Sequence, residues 1–178
     1  MQQLIAMFFL SLMILPAHQK WQEFKTFEGR FKVMVPGEMQ MNERTIHTDI
    51  GEIRYMTYYF QDTHREAENL MYMVTYCDYP MHSIHSDSTT LIDEFFEQTI
   101  EAAAISVSGE LRYAEPLNYK EYPGRYWRID YQRGHATLKT RAFLVENRFY
   151  TVQTATRRGS SLNNATEKFL DSFTLLEE

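Results

Sequence analysis

Apolar and polar residues alternate in several segments of the chain, most clearly in 136–145, and other segments are rich in tyrosine and β-branched residues; both patterns are typical of β-strands. The strands predicted before residue 80 cover residues 31–35, 43–48, 51–61 and 70–76. The strands predicted after residue 108 cover residues 110–119, 125–132, 136–145 and 149–156. Short turns separate these segments, including one predicted at Tyr122-Pro123-Gly124. Strands joined by short turns favour antiparallel pairing.

The apolar spacing changes to three and four residues in two places, which predicts two amphipathic α-helices. The first helix has about 15 residues and follows candidate N-caps at 86–88. Its apolar positions are Ile92, Phe95, Phe96, Ile100 and Ala103. The second helix lies near the C-terminal end, follows candidate caps at 160–161, and has its apolar positions at Leu162, Ala165, Phe169 and Phe173. The predicted fold class is therefore α+β, a mostly antiparallel sheet sandwiched by helices, in the order β-meander, helix, β-meander, helix.

Residues 4–15 form an almost unbroken apolar run that ends at Pro16 and Ala17. The run has about twelve residues, whereas a membrane-spanning helix needs about twenty. We therefore expect residues 1–19 to be a secretory signal peptide, which makes the protein exported, either periplasmic or secreted. An uncleaved membrane anchor and a first core helix are the alternatives for this segment.

Removal of residues 1–19 leaves residues 20–178, a length that suits a single domain with a substantial core. No later apolar run approaches membrane length, so we expect no transmembrane span after the leader is removed. The formal net charge is −6, which argues against general nucleic-acid binding because phosphate attracts a positive surface. The single cysteine, Cys77, lies in a strand pattern and is expected to be buried.

The charges are unevenly distributed along the chain. Residues 20–110 carry 7 basic and 16 acidic side chains, whereas residues 111–158 carry 10 basic and 4 acidic ones. One interpretation is charge balancing between acidic helices and a basic sheet; the other is a surface that binds an acidic partner or anionic lipid. The basic residues that we select as binding candidates are Arg125, Arg128, Lys139, Arg141 and Arg148.

The order of elements and three short phrases resemble the PsbP-like superfamily. Residues 27–36 resemble its aromatic-rich opening strand, 143–150 its penultimate hairpin, and 169–173 its closing helix. That superfamily includes the extrinsic protein of photosystem II, Ran-binding nuclear-import factors and bacterial exported proteins of unknown role. The resemblance covers most of residues 24–175 and implies an accessory or binding module, with no metal-binding or partner-binding residue carried over.

The tightest polar cluster is a loop that contains His82, His85 and Asp87. Imidazole and carboxylate are suitable ligands for Zn²⁺ or Cu²⁺, so this loop is a candidate metal site, although a solvated loop is the simpler interpretation. Strand aromatics provide a further candidate, a groove that stacks on a sugar or peptide. Those aromatics are Tyr55, Tyr59, Tyr126, Trp127 and Tyr131.

No catalytic signature is recognised in the chain, so we expect a domain that is not an enzyme and needs no cofactor. The first hypothesis is an exported accessory domain that recognises a protein or envelope component through its sheet face or loops. The alternative is a small-molecule or metal-binding carrier or enzyme, centred on His82, His85 and Asp87.

Overall fold

A computed structural model describes residues 20–88 and 90–176. The expectation of a signal peptide concerns residues 1–19, which lie outside the described residues. The strands are β1 (Gln22–Thr26), β2 (Phe31–Val35), β3 (Gln40–Thr48), β4 (Gly51–Gln61), β5 (Met71–Asp78), β6 (Glu110–Tyr119), β7 (Tyr122–Tyr131), β8 (Ala136–Val145), β9 (Arg148–Arg157) and β10 (Thr174–Leu175). The helices are α1 (Ile92–Ser106), a 3₁₀ turn (Arg158–Ser160) and α2 (Asn164–Ser172).

Seven strands form the main sheet, in the order β3-β4-β5-β9-β8-β7-β6. Every neighbouring pair is antiparallel, which confirms the prediction of a mostly antiparallel α+β fold. The two halves of the chain meet where β5 pairs with β9, from Met71 opposite Ala155 to Asp78 opposite Arg148. Among the described helices, none has the length and hydropathy needed to cross a lipid bilayer.

A smaller sheet, in the order β1-β2-β10, is separate from the main sheet. The sequence pattern placed β2 in one meander with the following strands, and this prediction was wrong. β2 instead pairs with β1 over its whole length, and with β10 near its start. β10 has only two residues, which is too short for an alternation pattern to reveal.

The turn predicted at residues 122–124 was also wrong, because Pro123 and Gly124 lie inside β7. The turn falls two residues earlier, where Lys120 adopts a left-handed backbone with φ of 53°. Gly124 is needed for packing rather than for turning, since a Cβ there would clash with the carbonyl oxygen of Ala142 on β8.

Two hydrophobic clusters lie on opposite faces of the main sheet, as the alternation along β5 shows. Tyr72, Val74 and Tyr76 belong to the first cluster, whereas Cys77 belongs to the second. The first cluster also contains the inward residues of β2 and α2, and the second contains Phe96 and Ile100 of α1. The buried residues of α1 and α2 therefore belong to different clusters.

The helix α1 begins at Ile92, later than its predicted caps at 86–88. Its N-cap position is Leu91, which provides no side-chain hydrogen bond to the helix. Backbone hydrogen bonds start the helix instead, because the amides of Leu91 and Ile92 both donate to the carbonyl oxygen of Ser88.

The helix α2 is capped by Asn163, not by the predicted serines at 160–161. The Asn163 Oδ1 accepts a hydrogen bond from the Thr166 amide at 2.7 Å. The buried Asn69 connects this cap to the sheet, since its Oδ1 accepts from the hydroxyls of Thr156 at 2.5 Å and Thr166 at 2.8 Å. The Asn163 amide donates to the same oxygen at 3.1 Å. One buried amide therefore joins the loop before β5, the end of β9 and the start of α2.

Replacing Asn69 with leucine removes this shared acceptor and leaves two buried hydroxyl groups without it. We expect the free energy of unfolding to fall by about 3 kcal/mol, because buried polar groups that lose a partner bear most of their desolvation cost. Urea titration followed by circular dichroism measures the change. Asn118→Leu, on an exposed position of β6, is the control and should change stability little. Equal losses in the two variants would contradict this role for Asn69.

Candidate functional site

The basic residues selected from the sequence do not form one open surface. Lys139 and Arg141 on β8 both pair with Glu167 of α2, at 3.1 and 3.5 Å. Arg141 also donates to Asp171 of α2 at 2.5 Å. The Lys139 side chain is buried, so these contacts hold α2 against the sheet and leave little of the ammonium group for a partner.

Arg125 and Arg128 on β7 point to opposite faces of the sheet. Arg125 pairs with Asp93 of α1, and its guanidinium lies 5.1 Å from the centre of the Phe96 ring. Arg128 instead pairs with Asp130 on its own strand at 2.9 Å. The two arginines therefore contact different parts of the fold.

Arg148 forms a two-pronged ion pair with Asp78, directly across the β5–β9 pairing. The two N–O distances are 2.5 and 2.7 Å, and the guanidinium lies 4.7 Å from the centre of the Tyr76 ring. Its hydrogen bonds to Asp78 raise the pKa of Arg148 above its usual value. All five selected basic residues thus have acidic partners within the chain, and their role in binding stays a prediction.

Asp130 is a buried carboxylate that collects three hydrogen-bonding side chains. Arg128 and the hydroxyl of Thr137 donate to one oxygen, and Arg112 of β6 donates to the other, each at 2.9 Å. Burial on its own raises the pKa of Asp130, but these hydrogen bonds outweigh it and hold the pKa below the ordinary value of 3.8. The group is a structural ion-pair network that joins β6, β7 and β8.

The histidine loop does not gather its three candidate ligands. His85 Nδ1 lies 3.5 Å from an Asp87 oxygen and accepts a hydrogen bond from the Asp87 amide, while His82 is exposed. Within residues 20–88 and 90–176, no three His, Cys, Asp or Glu side chains are placed to hold one metal ion. The metal-binding alternative stays a prediction without geometric support.

Cys77 is buried, as predicted, with 1% of its surface exposed. Burial is the main cause that raises the pKa of its thiol to about 12. The thiolate is therefore scarce at neutral pH, and the residue serves the core rather than nucleophilic chemistry. Burial also raises the pKa of Tyr55 and of Tyr79, and the two phenols interact electrostatically with Cys77.

A polar pocket of about 370 Å³ lies where three turns meet, beside Arg148. Arg30, Lys120 and Glu146 line it, and each has a left-handed backbone, with φ between 53° and 56°. Its described lining includes three basic and three acidic side chains, so it offers no charge preference for a ligand.

A wider groove, of about 560 Å³, lies between α1 and the segment that leads into it from β5. We call it the α1 groove. Tyr79, Phe95 and Phe149 are among its lining residues, and Phe95 contacts the other two edge to face, with ring centres 5.3 and 5.1 Å apart. Tyr55 of β4 lines it as well. These aromatic contacts provide a rigid apolar surface that is open to solvent.

The side of the groove formed by α1 carries exposed apolar residues next to a few polar ones. Leu91 is 46% exposed, and Ile50 on the opposite side is 42% exposed. Gln98 donates to Glu94 at 3.0 Å, and the Thr99 hydroxyl donates to the carbonyl oxygen of Phe95 at 2.7 Å. The polar groups are thus partly satisfied within α1, and the groove is suited to apolar binding rather than to acid–base chemistry.

Sequence reasoning selected Tyr55 as a candidate groove residue, and the structure places it in the α1 groove. Tyr126 and Trp127 pack instead in the two hydrophobic clusters on opposite faces of the sheet.

Sequence reasoning did not select three residues of the groove lining, Leu91, Gln98 and Ala102. The apolar spacing of α1 is dominated by its buried face, which contains Phe96 and Ile100. A second stripe at four- and three-residue spacing, through Leu91, Phe95, Gln98 and Ala102, was the available signal.

Comparison with known proteins supports the fold class of the chain. No model of a known protein family and no curated protein sequence matches the chain. The solution structure of cyanobacterial PsbP (CyanoP) from Synechocystis sp. PCC 6803 aligns with 88% of this chain and 93% of that chain, with a TM-score of 0.57 and 12% identity. This similarity supports a PsbP-like fold and nothing finer. Protein PA94 of unknown function from Pseudomonas aeruginosa aligns with 79% of this chain and 85% of that chain, with a TM-score of 0.38 and 10% identity.

Replacing Asp130 with asparagine removes the charge that two arginines and a threonine bind. Because the folded pKa lies below 3.8, the stabilisation is present above pH 3.8 and is lost as the pH falls below it. We expect the variant to lose about 2 kcal/mol of unfolding free energy at pH 7. Its stability should then fall less than that of the wild type between about pH 4 and pH 2.

Urea titrations of both proteins across this pH range test the expectation. Glu115→Gln, at an exposed position of β6, is the control and should retain the wild-type pH profile. If the free energy of unfolding falls by the same amount in the wild type and in the Asp130→Asn variant as the pH is lowered, the stabilising role assigned to the ionised Asp130 is wrong.

Proposed function

We propose that this chain is an exported, non-enzymatic accessory domain. It binds a protein, or another envelope component, through the α1 groove. The proposal includes the finer architecture expected from the sequence, a PsbP-like sheet sandwiched by helices in the order β-meander, helix, β-meander, helix, with β3 to β5 as the first meander and β6 to β9 as the second. It also includes the signal peptide at residues 1–19, which would place the partner in the periplasm or outside the cell.

The observation that carries the proposal is the apolar and open character of the groove. Binding grooves of this kind combine an apolar lining with a few polar groups that fix orientation. The α1 groove has aromatic residues at its base, exposed aliphatic residues at its sides, and Glu94 and Gln98 at its rim. Exposed apolar residues that cluster along one groove mark interaction sites more often than isolated ones do.

The selected basic residues are a weaker basis for recognition. A partner that used Lys139 or Arg141 would have to replace their contacts with α2, and one that used Arg148 would have to break its pair with Asp78. The α1 groove needs no such exchange, because Leu91 and Ile50 of its lining are already exposed to solvent.

Site-specific photocrosslinking in cells that express the protein naturally tests the proposed function. The full chain carries the photoreactive amino acid benzoylphenylalanine in place of Gln98, which is exposed in the groove. We expect a discrete light-dependent crosslinked product, because a bound partner covers this position. Adding Leu91→Asn to the same chain should weaken that product about tenfold, since it removes an apolar contact. Asparagine is also a favourable N-cap, so this change preserves the start of α1.

The same crosslinker at Leu162, which is 88% exposed and lies just before α2, is the matched control. It should give no product of the same mass. Identical products from both positions, or none from position 98, would contradict binding through the α1 groove.

A further inference from the structure

The helix α1 carries two apolar stripes, and only one of them is buried. Phe96 and Ile100 face the sheet and are almost inaccessible to solvent. The other stripe contains Leu91, Phe95 and Ile105, and Ile105 is 69% exposed. Ordinary surface helices have a single apolar face. Within the described residues Phe95 packs against Tyr79 and Phe149, whereas Leu91 and Ile105 stay exposed at the two ends of the second stripe.

The length of the second stripe favours a helix or extended peptide over a small molecule. Residues 91, 95, 98, 102 and 105 follow the four- and three-residue spacing of a helix-packing seam. At 1.5 Å per residue, the seam is about 21 Å long. It passes through the α1 groove and continues beyond it to Ile105, which is not part of the groove lining.

Acidic residues run along one side of this stripe. Glu94, Glu97 and Glu101 have i, i+3 and i+7 spacing, which places them in a row beside the stripe, and all three are exposed. The helix contains no lysine or arginine. Of these acids Glu94 lines the groove, where it is the one charged residue of the described lining.

The charge row also argues against a second copy of the chain as the occupant. Two copies packed antiparallel through the same stripe would bring their glutamate rows together, and like charges on neighbouring helices repel. In a parallel pair neither row would meet a lysine or arginine of the other α1, because the helix has none. A partner with lysine or arginine beside its apolar residues would instead complement this row.

We infer that the α1 groove and its extension bind an amphipathic helical segment of another protein whose apolar stripe is flanked by lysine or arginine. The inference rests on the proposed function and specifies the chemistry of the partner. The apolar stripe provides affinity, and the glutamate row selects the charge of the partner.

Fluorescence-anisotropy titration of the full chain with three synthetic peptides tests the inference. Each peptide has about 18 residues with leucine at helical spacing, and the remaining positions are lysine, glutamine or glutamate. We expect the lysine peptide to bind at least about tenfold more tightly than the glutamine peptide, with the glutamate peptide weakest.

Two double variants, each with a matched control variant, locate the site and the selectivity. Leu91→Asn/Ile105→Gln should weaken binding of the lysine peptide about tenfold. The control Phe27→Gln/Leu162→Asn changes two even more exposed apolar residues elsewhere and should not weaken it. Glu94→Lys/Glu101→Lys should abolish the preference for lysine over glutamine. Glu66→Lys/Glu115→Lys makes the same change in net charge at exposed positions away from α1 and should leave the preference intact.

The outcomes separate the two proposals. If all three peptides bind equally and the Leu91/Ile105 variant weakens each of them, the groove binds apolar segments but the inference of a basic partner is overturned. If both glutamate-reversal variants reduce binding equally, the attraction is a net-charge effect and the inference also fails. Peptide-dependent dimerisation, or dimerisation of the chain alone through α1, would assign the groove to a second copy. Binding that ignores every α1 variant would overturn the groove itself.

Discussion

The antiparallel pairing of β5 with β9 is the constraint on which the rest of the structure depends. These strands are separated by about seventy residues along the chain, yet they lie side by side in the middle of the seven-stranded sheet. Their alternating side chains supply both hydrophobic clusters: Tyr76 and Tyr150 to one face, Cys77 and Phe149 to the other. At the end of these two strands, the ion pair between Asp78 and Arg148 holds them in register.

This pairing also determines where α1 presents its second stripe. Phe149 of β9 contacts both Phe95 and Phe96, with ring centres 5.1 and 6.0 Å away, and so lies between the buried and the exposed stripe. Phe96 is buried on the sheet, and Phe95 remains at the surface against Tyr79. A helix held in this orientation buries its inner stripe completely but leaves the outer one open. The same packing that stabilises the domain therefore creates the groove.

Local pattern was sufficient for most of the elements. The predicted bounds of β4, β6 and β8 agree with the structure, because turn-forming residues flank each of these segments of ten or eleven residues. The exceptions depend on distant partners. Asn163 became the cap of α2 because Asn69 binds it from another loop, and Gly124 lies in a strand because Ala142 packs against it. β10 is too short to leave a pattern.

The candidate site was predictable only in part, and for a similar reason. The basic residues were visible in the sequence, but their acidic partners Glu167, Asp171 and Asp78 come from other elements. The number of charges in each segment therefore could not predict these ion pairs. Tyr55 was selected as a possible groove residue. Its neighbours Leu91 and Ala102 were hidden, because two apolar stripes on one helix resemble a single broad one.

Hydrogen–deuterium exchange of the full chain, with and without the lysine-flanked peptide, tests the account most directly. The account predicts that added protection is confined to residues 79–88 and 90–106 and the adjoining part of β4. Protection that appeared instead at β6, at α2 or around the turns beside Arg148, with α1 unchanged, would contradict recognition through the α1 groove.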